Sequence, residues 1–415
     1  MLPGTKGKIS DNERGQRASL FISSAGVRDR IRKDKLVLRK ESVSMSNMGI
    51  NRWQMIQAGL LLLAVTASAV MLVSFFDRIP IEGTSLALDW KGLWQAMRGG
   101  IITYQNELGF RIPPWTALLV APLGFLSMQA SWGLMAFITI MVLLISVPRV
   151  RSKGLYLVSI FLLILSYPSL RHTADGNFEA IIISGALLTI YGYQKEKVLP
   201  FAIGILLIVS KPQESSFVIA ALGIYALVSQ KRRFWLYSAL VVLAVSLPFL
   251  LVWGKDWITT MLAISERGSI MDMSLMAALN RTGFIPPPLV LVIWLLFTCA
   301  NLYIVWVSRP RLSREKVGML IGASLLIAPY AAGNSMVTVL AIGIIPLFQA
   351  RRYSGLLLIL LINTQFFLSR DFLFQWGAYY ATTILLLSWG FLAWRVMSGQ
   401  DEPLRKTLPA AASTR

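Results

Sequence analysis

A carboxylate, several cations and one histidine stand at the margins of long apolar runs. Asp89 lies in Asp89-Trp90-Lys91, at the head of a short amphipathic stretch, and Arg111 precedes Pro113-Pro114. The turn Arg171-His172-Thr173-Ala174-Asp175-Gly176-Asn177-Phe178-Glu179 separates two apolar runs, as does Lys211-Pro212-Gln213-Glu214. Glu266-Arg267, Asn280-Arg281 and Arg370-Asp371 complete the set. Cations placed where negative charge develops stabilise a departing phosphate. A carboxylate within reach of a hydroxyl can serve as general base. These are the minimum groups for moving a sugar from a polyprenyl phosphate to an acceptor alcohol. Other chemistries find no support. There is no Gly-rich phosphate loop, no pair of acidic residues one apart in the first polar loop, and no nucleophile–histidine pair on this spacing. A single histidine, His172, and a single cysteine, Cys299, leave no two-histidine metal site and no intramolecular disulfide. Neither a metal nor a cofactor is expected.

Each group also has a plainer explanation. Asp89 could cap the helix that follows it, since acidic residues favour positive helix N-termini. Arg111 could snorkel to lipid headgroups, and His172 could be an exposed loop histidine. Lys211 is harder to dismiss. At mid-bilayer a lysine costs about 2.5–3.5 kcal/mol, so it should face a polar cavity or an anion, with Glu214 as a possible structural partner.

The elements that must position these residues are membrane helices. The 415 residues are 55% hydrophobic and only 14% charged, with a mean hydropathy of +0.63. A soluble chain of this length would need more charge to cover its surface. Residues 1–50 are polar, Ser-rich and basic, most of all over Val27–Lys40, and cannot bury enough apolar area to order themselves. They are expected to be disordered or to lie on an anionic leaflet. A start at Met45 or Met48 is the competing account of this tail, and a signal peptide is not. The apolar runs are 55–76, 131–147, 154–170, 178–193, 198–210, 215–229, 234–253, 287–307, 317–330, 335–349, 354–369 and 376–397. Leu86–Met97 reads as a short interfacial helix. Residues 113–127 read as a juxtamembrane or re-entrant helix, because about 14 residues cover only about 21 Å of a roughly 30 Å core. The expectation is an all-α, polytopic bundle of about twelve spans over residues 51–398, with cytoplasmic tails over 1–50 and 399–415. If 113–127 does not cross, every dense basic cluster falls on one side: Arg149–Lys153, Gln194–Lys197, Gln230–Arg233, Arg309–Lys316, Arg351-Arg352 and both tails. The positive-inside rule then places both termini in the cytoplasm and the polar set outside. The net charge of +20 is thereby explained by topology, without nucleic acid as a partner.

At these residues the chain resembles the GT-C glycosyltransferases, and most closely family 87, the polyprenyl-phosphate-mannose-dependent mannosyltransferases. The resemblance runs over residues 50–350. It rests on Asp89, the aromatic helix from Trp90 to Trp94, Gly99-Gly100, Tyr104, Phe110-Arg111-Ile112-Pro113-Pro114 and Pro122-Leu123. Further along it rests on Gly176-Asn177 opening Ala180–Ile183, Lys211-Pro212-Gln213, and Ala328-Pro329-Tyr330 followed by Asn334. The chain departs from the pattern at Ile112, where the family often has Tyr, and at Asn177, where it has Gln. The resemblance implies a GT-C fold with juxtamembrane helices in the first outer loop. It also implies Asp89 as catalytic base, inverting transfer, and a substrate site that takes in Tyr104, Arg111, His172, Asp175, Asn177, Lys211 and Gln213. The partners would be a polyprenyl-phosphate-linked sugar, a glycan, glycolipid or other hydroxyl acceptor, and membrane lipid, all at the extracytoplasmic face of the cell membrane. Two other functions compete. A flippase for lipid-linked saccharides predicts inverted repeats, and none is visible. A polymerase-like protein predicts a long late outer loop with paired arginines, to which 254–286 is a partial match through Arg267 and Arg281.

Overall fold

The computed structural model describes residues 52–81, 84, 86–98, 112–265, 272–308 and 310–401. The basic tail over 1–50 lies outside them. The chain divides into two compact units, Met1–Ser68 and Ala69–Arg415. In the first, residues 52–68 are helical; the site described below lies in the second.

Among the described residues the secondary structure is helical, apart from one isolated antiparallel bridge between Asp272 and Ala332. In chain order the helices are α1 (Arg52–Asp77), α2 (Leu88–Met97), α3 (Pro114–Val120), α4 (Met128–Ser146), α5 (Lys153–Ile164), α6 (Tyr167–Asp175), α7 (Glu179–Lys195) and α8 (Val198–Ile208). They continue as α9 (Pro212–Val228), α10 (Arg232–Ser265), α11 (Leu275–Arg281), α12 (Pro287–Val307) and α13 (Arg314–Ile327). The last are α14 (Gly333–Ala350), α15 (Arg352–Asn363) and α16 (Arg370–Met397). Helix starts recur with one device. Ser127, Ser152, Ser166, Ser274, Ser313 and Ser369 each accept, through the side-chain oxygen, the N–H three residues on. Orphan N–H groups at a helix start need such an acceptor wherever water is scarce.

Six described helices are long and apolar enough to cross a membrane: Met55–Asp77, Met128–Ser146, Arg232–Met261, Pro287–Val307, Gly333–Ala350 and Gln375–Met397. The pair α5 and α6, bent by 48° at Leu165-Ser166, makes up to seven. The twelve apolar runs of the sequence therefore do not each become a helix of spanning length. α8 has 11 residues and α9 has 17, which is about 17 and 26 Å of helix. Pro114–Phe125 is likewise a short apolar helix, as its length in the sequence suggests. α13 is buried from Glu315 to Leu326; a helix apolar on every face is covered by its neighbours, so its hydropathy reports burial in protein as readily as contact with lipid.

Close helix contacts run through glycine. α7 packs on α8 where Gly185 meets Gly204: a Cβ on Gly185 would lie 2.5 Å from Ile208 N, and one on Gly204 would lie 2.4 Å from Thr189 N. Small residues let backbones approach where helix association relies on van der Waals packing. In α14 a π-turn over Leu340–Ile344 leads into Ile345-Pro346. Proline cannot donate to the carbonyl one turn back, and a π-turn is a local way to absorb that loss. Arg395 at the end of α16 donates to both oxygens of Glu315 at 2.5 and 3.0 Å, and Ser313 donates to Asp401 at 2.6 Å. The start of α13 is thereby tied to the chain after α16.

Gly204→Val should force α7 and α8 apart, because the clashing partner at Thr189 is backbone. The expected loss is at least the roughly 1–3 kcal/mol of an overpacked core, read as a lower melting temperature in detergent.

Candidate active site

Four polar segments meet at one place: the first turn of α2, the turn between α6 and α7, the break between α8 and α9, and the start of α14. α2 is fixed to the α6–α7 turn by its own sequence. Ala87, just before it, has φ 51°, a left-handed conformation of order 1–3 kcal/mol unfavourable for a residue with a Cβ. There its N–H donates to Ala174 O at 2.8 Å. Trp90 is fully buried, and its indole donates to Ser131 Oγ at 2.9 Å. Trp132 donates to Thr173 O at 2.9 Å. Gly176 ends α6 at φ 70°, and a Cβ on it would lie 2.4 Å from the Trp90 Cβ. Glycine is needed there both for its backbone and for the ring beside it.

This docking carries Asp89 to the turn. Asn177 Nδ2 donates to Asp89 Oδ2 at 2.7 Å, and Asn334 Nδ2 donates to the same oxygen at 3.3 Å. Asn177 Oδ1 accepts from Lys211 Nζ at 3.1 Å and from the Phe178 N–H at 3.1 Å. Lys211 forms an ion pair with Glu179 Oε1 and another with Glu214 at 3.5 Å. Glu179 Oε1 also accepts from Ser335 Oγ at 3.2 Å, and Glu179 Oε2 lies 2.6 Å from His172 Nδ1. Arg171 Nε donates to Asp175 Oδ2 at 2.8 Å. Asp89, Asn177, Lys211, Glu179 and His172 thus form one connected series. Asp89 is exposed, whereas Glu179 and Glu214 are 0% accessible and His172 is 1%.

Burial alone would lower Lys211, but Glu179 and Glu214 hold it above the usual lysine range and keep it charged. Asp175 lies past the bend between α5 and α6, outside the apolar segment. Burial pushes it up to about 6 against the pull of Arg171, and the Asp89 carboxylate nearby adds to the rise. Among the described residues no group of three His, Cys, Asp or Glu could hold a metal ion.

Several of the residues singled out from sequence converge here: Asp89, His172, Asp175, Asn177 and Lys211. Gln213 is on the first turn of α9, with its Oε1 buried and without a hydrogen-bond partner among the described residues. Tyr104 and Arg111 lie outside the described residues, as do Glu266 and Arg267. The exposed-loop account of His172 is overturned, since α6 and Glu179 bury it. Asp89 is not the cap of its helix, whose N-cap is Ala87. Glu214 is the partner of Lys211 that the sequence offered; Glu179, Asn334 and Ser335 were not placed in the site by sequence. The available signal was an acidic residue in the first turn of an apolar helix, at Glu179 in α7 and Glu214 in α9.

Residues 110–329, just over half of the chain, match the model of glycosyltransferase family 87. The chain belongs to glycosyltransferase family 87. No curated protein and no solved structure matches it. It is an all-helical membrane glycosyltransferase in its described secondary structure, and so acts on a sugar donor and an acceptor. The matched stretch holds His172, Asn177, Glu179 and Lys211; Asp89 and Asn334 lie outside it and are brought to it by the fold. In this family 87 chain, Lys211→Met strands two buried carboxylates, and breaking a buried pair costs about 3–5 kcal/mol. Adding Glu179→Gln removes one of them and should recover part of the loss in a thermal melt; no recovery would mean that stranded charge is not the cause.

Asp175 gives a second outcome, with the opposite sign from an ordinary ion-paired carboxylate. Its folded value, about 6, lies above the 3.8 of the free residue. Its contribution to stability is full below about pH 4 and is lost as pH rises through 6. Asp175→Asn should therefore change melting temperature relative to the parent in a way that varies between pH 4 and 6 and is flat above pH 7.

Proposed function

We propose that this chain transfers a sugar, mannose or another hexose, from a polyprenyl-phosphate donor to an acceptor hydroxyl, with Asp89 as general base. The observation that carries the reading is the contrast in accessibility within one network. Glu179, Glu214 and Asp175 are buried, and Asp89 is the exposed carboxylate among them. A base must touch the proton it takes; buried carboxylates paired with Lys211 and His172 are suited to holding charge instead.

In this reading the acceptor oxygen attacks the anomeric carbon as its proton passes to Asp89. The bond from that carbon to the phosphate oxygen breaks on the opposite face, which inverts the configuration. The lipid phosphate leaves with the bonding electrons. Arg111 is the group assigned to the departing phosphate, and Tyr104 and Gln213 are assigned to the substrate; His172 and Asp175 are buried against Glu179 and Arg171 and serve the site from behind. Lys211 is balanced by two carboxylates and serves the site through Asn177. The positive-inside pattern supports a site on the extracytoplasmic face of the cell membrane, with both termini cytoplasmic. It also supports a crossing count near twelve, in which the shorter apolar helices cross as packed pairs.

The test uses purified protein and a panel of polyprenyl-phosphate sugars, scoring release of free lipid phosphate and the anomeric configuration of the product. Asp89→Asn should lower turnover by about 10²–10⁴-fold with normal expression. Parent-like turnover in that variant would remove Asp89 from the role, and a retained anomer would remove the single displacement.

A further inference from the structure

Asn177 touches both Asp89 and the buried Lys211, and its amide has a defined orientation. An amide offers one acceptor oxygen and one donor NH₂, nearly alike in shape, so hydrogen-bond partners decide which end points where. Asn177 Oδ1 faces two donors, Lys211 Nζ at 3.1 Å and the Phe178 N–H at 3.1 Å. Neither can accept a hydrogen bond in return. Turning the amide over would set its NH₂ against an ammonium and an N–H, and its oxygen against the Asp89 carboxylate. The NH₂ must therefore face Asp89 Oδ2, where it stands at 2.7 Å.

The supports behind the amide are themselves fixed. The Asn177 N–H donates to His172 O at 3.2 Å, following the left-handed Gly176. Lys211 donates to Glu179 and to Asn177, and Glu214 stands 3.5 Å away as an ion pair. Two carboxylates balance the ammonium, and the residue is buried. Asn334 gives Asp89 Oδ2 a longer contact at 3.3 Å, and its own Oδ1 is buried with no hydrogen-bond partner among the described residues. Its orientation is not imposed in the same way.

We infer that Lys211 and Asn177 are positioning residues for Asp89, the lysine orienting the amide and the amide holding one carboxylate oxygen in place. The inference rests on Asp89 being the base. It differs from the direct substrate contact that the resemblance implies for Lys211, because the chain of bonds runs from the buried charges outward to the carboxylate. Its consequence is an effect on the protonation of Asp89. Donors on a carboxylate oxygen favour the ionised form, and a second carboxylate in their place disfavours it.

The experiment is the pH dependence of kcat/KM for lipid-phosphate release, compared among the parent, Asn177→Asp and Asn177→Ala, with the same polyprenyl-phosphate sugar. Asn177→Asp keeps an acceptor for Lys211 but sets a carboxylate against Asp89. Its acidic limb should move up by about one pH unit or more, since like charges in one site cannot both ionise freely. Asn177→Ala removes the donor alone, and its limb should move up by about half a unit. The position of the limb does not depend on how much protein is folded. If Asn177→Asp gives no folded enzyme, Asn177→Ala decides. A limb unmoved to within about 0.2 unit, with or without a loss of rate, overturns the inference, because a purely structural residue would lower rate without moving the limb. Asp89→Asn, run alongside, separates the two readings. Activity retained there means the base is wrong; activity lost there with an unmoved limb in the Asn177 variants means only the positioning is wrong.

Discussion

A lysine taken out of water must be met by opposite charge, and in this protein much of the site follows from that requirement at Lys211. Its ammonium stands where α8 stops and α9 begins, a place with little water and much apolar side chain. Glu179 and Glu214 answer it from the first turns of α7 and α9. Ser335 at the start of α14 adds a hydrogen bond to Glu179, and His172 in α6 lies against its other oxygen. One buried cation thus ties four helices together. Removing any partner leaves charge or polarity stranded, which is costlier than never having placed it there.

The same region is where the helices are broken, and the two facts have a common cause. A helix that ends inside an apolar bundle leaves backbone groups without partners. Polar side chains collect at such ends because there is something for them to bond. Gly176 closes α6 in a left-handed turn, Pro212 opens α9, and the chain before α14 turns at Ala331-Ala332, held by the bonds of Asp272 to Ala331 and Ser274. Glycine at Gly185 and Gly204 lets α7 and α8 approach closely enough to bring the two breaks side by side.

Asp89 arrives from another part of the chain. α2 is anchored by Trp90, which fills the space over Gly176, and by the backbone bond from Ala87 to Ala174. The result grades exposure along a connected series: charge balanced in the interior at Lys211 and Glu179, an oriented amide at Asn177, and an exposed carboxylate at Asp89. Such an arrangement limits rotation of the outer group while leaving it accessible, which is what preorganisation of a base requires.

Much of this was legible in the sequence. Apolar runs marked the helices, and Asp89, His172, Asn177 and Lys211 could be picked out as polar residues where a bland membrane helix has none. The shortness of 113–127 and the amphipathic pattern over 86–97 gave Pro114–Phe125 and α2. Other features belong to the tertiary structure. Hydropathy does not separate a helix against lipid from one against protein, so α9 and α13 are apolar in sequence like the long spans, while six helices among the described residues have spanning length. Glu179 in the sequence is an acid at a helix start, where the helix dipole alone would welcome it; only the packing of α6, α9 and α14 around it makes it the partner of His172, Lys211 and Ser335. His172 reads as a loop residue and is buried because α6 continues through it. A single chain states which residues are polar, and hydrophobicity decides that they avoid lipid. Which of them meet, and which one remains exposed, depends on contacts between residues far apart in the chain, as Asp89 is from Asn177 and Asn334.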